Sequence, residues 1–122
     1  MKAQDLMIGD IVAVNNTPLR IAALGTAKTG FIDAKGEMFY HYYDNIEPIP
    51  LTSEILEKNE FRNSLDEWHL FQGCLQTNFT LKSYDDTNEV LLPLFNGNMQ
   101  IIYVHELQHA LKLCGIDKNI EL

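Results

Sequence analysis

Short apolar runs broken by turn chemistry dominate the first fifty residues. Ile11-Val12-Ala13-Val14 follows Gly9-Asp10, and the cluster Asn15-Asn16-Thr17-Pro18 leads into an apolar run from Leu19 to Leu24. A loop from Gly25 to Gly30, a run from Phe31 to Ala34 and a Lys35-Gly36 turn precede an aromatic strand from Met38 to Tyr43. A fifth segment near Ile46 to Ile49 completes five short strands, the pattern of a small SH3-like barrel, whose closure hides otherwise reactive strand edges.

Pro48 and Pro50 end this β-rich stretch, and a short helix follows. Thr52 is placed to cap it, Glu54 complements its positive end, Leu51 and Leu56 have the spacing of a hydrophobic staple, and the helix stops near Asn59. Beyond Trp68, Leu75, Thr77, Phe79 and Leu81 alternate with Gln76, Asn78, Thr80 and Lys82, the period of a sheet with one buried face. Asp85-Asp86-Thr87-Asn88 reads as a turn, Val90 to Phe95 as a strand, Asn96-Gly97 as a hairpin turn and Met99 to Val104 as the next strand. Pro93 lacks an N–H, so its strand is expected at an edge or with a bulge. Leu107, Ala110, Leu111 and Cys114 then mark the apolar stripe of a final helix. Gly115 is its expected stop, with Ile116 folding back onto Leu111. The expected class is α+β. Residues 1–50 form the SH3-like part; residues 51–122 form a helix, an antiparallel β-meander and one closing amphipathic helix, the whole packed as one compact unit.

Composition changes this picture in three ways. With 122 residues, 46% hydrophobic and 21% charged, the chain suits one soluble domain or two very small ones sharing a core, and with no transmembrane run or signal-peptide core a cytoplasmic location is expected. A formal charge of -8 disfavours direct nucleic-acid binding and suits a cationic protein partner. Cys74 and Cys114 lack C-x-x-C spacing and neighbouring bases, which predicts two small buried side chains in a reducing compartment.

The sharpest motif is His105-Glu106-Leu107-Gln108-His109. Histidines four apart on a helix project about 40° from one another. His105 and His109 could therefore share a zinc ion while Glu106 acts as general base. Composition alone produces such a match in roughly 1% of chains like this one. A catalytic zinc wants three protein ligands, yet Lys112 stands where the extended motif needs glycine, Asp117 and Glu121 are the only carboxylates after His109, and His41 or His69 would have to come from the sheet. His105 also falls at the helix start, and His105, Gln108, His109 and Lys112 share the face opposite the apolar stripe, expected to be solvated.

Three segments carry a resemblance: Ile8-Gly9-Asp10-x-Val12, the stretch from Glu47 to Asn59, and Tyr103-Val104-His105-Glu106-Leu107-Gln108. In these the chain resembles small uncharacterised proteins encoded in gut Bacteroidales genomes and their phages or mobile elements. In those proteins the final helix also begins Val-His-Glu-Leu-Gln but lacks the second histidine, and the resemblance implies a genomic context without an activity.

Phe39-Tyr40-His41-Tyr42-Tyr43 puts aromatic groups on both faces of one strand, either as core or as a groove for extended or proline-rich peptides. Trp68 reads as a packing anchor or a ligand platform. Asp85 to Glu89 lacks the order of a calcium loop. The expectation is therefore a non-enzymatic protein-binding or adaptor module of a bacterial or phage accessory gene set, without a cofactor. Its contact residues are Tyr40, Tyr42, Tyr43, Trp68, Glu106, Gln108 and His109, its partner is an unknown protein, and a homodimer is compatible with it. The alternatives are a small zinc-dependent hydrolase built on His105, Glu106 and His109, and an acidic nucleic-acid mimic.

Overall fold

The computed structural model describes residues 1–83, 90–94 and 97–122. The chain divides into two units, Met1–Ile49 and Pro50–Leu122, each carrying its own antiparallel sheet. The class is α+β, with few helices. Among the described residues no helix is long and apolar enough to cross a membrane.

The first unit holds four strands in sequence order, β1 (Ile11–Val14), β2 (Thr17–Leu24), β3 (Lys28–Ile32) and β4 (Met38–Tyr42). Asn15 and Asn16 both take positive φ, 52° and 64°, so the β1–β2 connection is a two-residue turn of the kind asparagine tolerates. Thr17 and Pro18, expected in the turn, pair instead with Val14 and Ala13 as the first residues of β2. The third strand begins at Lys28 rather than Phe31, because Lys28, Thr29 and Gly30 pair with Tyr42, His41 and Tyr40 despite their low apolarity. The fifth strand expected near Ile46 to Ile49 is only a single bridge, Glu47 to Ala13, after a 3₁₀ turn at Tyr43–Asn45. Among the described residues no closed barrel is found. Leu6, Val12, Val14, Ile21, Phe31 and Ile46 form the core, with Leu19 and Phe39 packed against it.

The second unit opens with α1 (Ser53–Lys58). Thr52 has extended backbone, and its Oγ1 accepts from the Ile55 N–H at 3.2 Å, the cap its position predicts. The meander is β5 (Phe61–Ser64), β6 (Glu67–Gln72), β7 (Leu75–Ser83), β8 (Val90–Leu94) and β9 (Gly97–Ile101), in that spatial order. The period-2 reading of β7 holds at Phe79 and Leu81, which are buried, and fails at Leu75, which is exposed. Pro93 departs from expectation: β8 lies inside the sheet, between β7 and β9. Its ladder to β7 covers only Val90 and Leu91, so Pro93 sits where β9 alone is paired and its missing donor breaks no bond to β7. The turn expected at Asp85 to Asn88 and the Asn96 half of the Asn96-Gly97 turn lie outside the described residues.

The last helix, α2 (Val104–Leu113), ends as its sequence predicts. Gly115 has φ 73°, the Gly115 N–H donates to the Lys112 carbonyl and the Ile116 N–H to the Leu111 carbonyl, which is the paired bonding of a Schellman cap. Leu107, Ala110 and Leu111 are buried, but Cys114 is exposed. It follows the last helical residue, where the chain turns away. Cys74 is exposed too, in the β6–β7 turn, so neither thiol is the buried side chain that its residue type suggests.

Candidate functional site

The two faces of the β3–β4 hairpin differ sharply. Side chains alternate across a strand, and the register Phe31 to Phe39 and Thr29 to His41 sends these four toward the core side. Phe31 is 1% exposed; its ring stacks on Phe39 with centroids 5.6 Å apart, and His41 meets Phe39 edge-on at 5.7 Å. The opposite face carries Lys28, Gly30, Ile32, Met38, Tyr40 and Tyr42. Tyr40 is 59% exposed and Tyr42 55%, with Ile32 and Met38 also exposed beside them.

Gly30 shapes this outer face. A Cβ there would meet Met38 Sδ at 2.9 Å and Tyr40 Cε1 at 3.2 Å, so both side chains lie across the space that a larger residue would fill. The Lys28 ammonium sits 4.7 Å from the centre of the Tyr42 ring, a cation–π contact that fixes the ring while leaving it open. At the other end, the Asp33 carboxylate accepts from the N–H groups of Lys35 and Glu37, holding two acidic residues beside Met38. Tyr43 does not join this face. It begins the 3₁₀ turn, half-buried, and its hydroxyl donates to the Gly25 carbonyl at 2.6 Å.

The His-Glu-Leu-Gln-His segment is organised as a helix start. Glu106 is the third residue of α2, and its Oε1 accepts from the backbone N–H groups of Ile102 and Tyr103 at 3.0 Å each. Two donors at the helix entrance thereby find an acceptor, the half of a capping box that Glu supplies. The histidines do come together: the His105 and His109 rings are 5.6 Å apart and nearly perpendicular, and Tyr103 stacks on His105 at 5.9 Å. Among the described residues no group of three or more His, Cys, Asp and Glu side chains is placed to hold a metal ion.

The face opposite the apolar stripe is not the solvated one expected. His105 is 5% and Gln108 8% exposed, while His109 is half-buried and Lys112 exposed. Burial therefore extends most of the way round the first two turns of α2. A helical wheel marks where apolar residues concentrate, not how far burial reaches beyond them. Trp68, in β6, is 7% exposed and pairs with Asn63 and Leu81, which leaves little of its ring for a ligand.

A cavity of about 560 Å³ opens in the second unit among Thr77, Asn78, Thr80, Leu92, Pro93 and Cys114. No protein-family model, curated protein or solved structure matches the chain.

Proposed function

We propose that the chain is a non-enzymatic protein-binding module that receives an extended, cationic segment of a partner on the outer face of β3 and β4. The observation that carries this reading is the split of the β4 aromatics. Phe39 and His41 pack with Phe31, while Tyr40 and Tyr42 stay more than half exposed beside Met38 and Ile32. Rings held by Lys28 and by the backbone of the hairpin offer contact area at low entropic cost, and an extended segment has little order left to lose. A net charge of -8 adds long-range attraction for a basic partner.

Chain order supports an SH3-like reading of the first unit. Four short strands, a 3₁₀ turn and a return of Glu47 to β1 follow that arrangement, and the register shift in β2 between Ile21 and Ala23 is where such a strand bends. The resemblance to small Bacteroidales and phage proteins suits an accessory adaptor of this kind. Retention of a partner from host lysate should fall as salt rises, because exposed charge attraction is screened. The Tyr40→Ala/Tyr42→Ala variant should lose the same partner; equal retention by the variant overturns the proposal.

A second reading, a zinc-dependent hydrolase, rests on the approach of the His105 and His109 rings. Against it stands the use of the Glu106 carboxylate at the helix entrance. Stoichiometric zinc in protein purified without a tag, lost in His105→Ala, would favour the hydrolase.

A further inference from the structure

Among the described residues the sheet of the first unit ends at β4, which pairs with β3 alone. Natural edge strands are usually blunted by lysine, proline, a bulge or a charged inward residue. β4 has none of these: Met38-Phe39-Tyr40-His41-Tyr42 contains no Lys, Arg, Asp, Glu or Pro, and its register with β3 is unbroken over five pairs.

Which backbone groups face the open edge follows from one bond. The Asp33 N–H donates to the Glu37 carbonyl at 2.9 Å, so these residues face each other as a hydrogen-bonded pair. Hydrogen-bonded and non-hydrogen-bonded pairs alternate along an antiparallel ladder. Stepping along the register, Phe39 and His41 direct their backbone groups to β3. Met38, Tyr40 and the N–H of Tyr42 direct theirs outward, and these same residues carry the exposed side chains.

We propose that β4 pairs antiparallel with β4 of a second copy of this chain, about a two-fold axis through Tyr40. A symmetric dimer needs a self-complementary surface, and this register supplies one. Tyr40 lies opposite Tyr40 of the second copy, and Met38 lies opposite Tyr42 of the second copy, a sulfur–aromatic pairing repeated on both sides. The contact uses the backbone edge and leaves the outer faces of the two hairpins side by side. It does not depend on the partner proposed above, and mass rather than peptide binding reads it.

Light scattering at high micromolar concentration should give twice the monomer mass. Tyr40→Lys, which sets like charges directly opposite, should weaken the dimer roughly tenfold or more while leaving the thermal transition in place. In a Cys74→Ser/Cys114→Ser background, a short bifunctional methanethiosulfonate should crosslink Tyr40→Cys. Met38→Cys alone should not crosslink, because its two copies would lie about 13–14 Å apart along the strands. Monomer mass at every concentration, or Met38→Cys crosslinking as readily as Tyr40→Cys, overturns the pairing.

Discussion

The Glu106 carboxylate accepts the backbone N–H of Tyr103 at 3.0 Å, and that of Ile102 at the same distance. A residue that the motif would cast as a general base is thus the acceptor that starts α2. Glu106→Ala should lower stability by about 0.5–2 kcal/mol, the range for losing a helix cap. Glu106→Gln keeps an acceptor at the same place and should retain most of that stability. Urea denaturation midpoints of the two variants check this, and equal losses would count against the capping role.

The two faces of the β3–β4 hairpin should respond oppositely to truncation. Phe31→Ala removes a ring that is 1% exposed and should cost roughly 3–5 kcal/mol. Tyr42→Ala removes an exposed ring and should change stability by no more than about 0.5 kcal/mol. Thermal melts of both variants test the split, and a Tyr42→Ala loss near that of Phe31→Ala would mean that the outer face is structural.

Thr52 offers a cleaner local test. Its Oγ1 accepts from the Ile55 N–H, so Thr52→Ala should cost about 0.5–2 kcal/mol and Thr52→Ser much less. An unchanged midpoint for the alanine variant would mean that Thr52 does not cap α1.

Lys118 donates to Glu60 Oε1 at 3.1 Å, and that bond, with the lysine's charge and the Gly73 backbone N–H, holds the Glu60 carboxyl below its ordinary range. A carboxyl whose pKa is lower folded than unfolded stabilises above the unfolded value, and the contribution is lost as pH falls through the folded one. Glu60 is exposed, so solvent screening keeps this effect small. In an NMR titration the Glu60 midpoint should rise in Lys118→Ala; an unmoved midpoint would assign the lowering to other groups.

Local chemistry was legible where one residue type does one job. Asn15-Asn16 marked a tight turn, Thr52 a cap and Gly115 with Ile116 a helix stop, and each has that role. The strand β5 was not legible, because Phe61 is the only apolar residue in Phe61-Arg62-Asn63-Ser64 and a strand held mainly by its ladder leaves no periodic trace. The early start of β3 was hidden in the same way by Lys28, Thr29 and Gly30. At the candidate site, aromatics on both faces of β4 erased the alternation that normally separates core from surface. Pairing with Phe31, across the hairpin, decides which rings turn inward. The exposed state of Cys114 and the buried state of His105 likewise depend on packing beyond the helix's own period.

The proposed role of the outer face of β3 and β4 is to take an extended cationic segment. Its most direct test is a titration of the isotopically labelled protein with a proline-containing basic peptide, followed by amide NMR shifts at low and high salt. Shifts should concentrate at Lys28–Ile32 and Met38–Tyr42, weaken as salt rises and vanish in Tyr40→Ala/Tyr42→Ala. Shifts confined to other residues, or binding that the double variant retains in full, would contradict it.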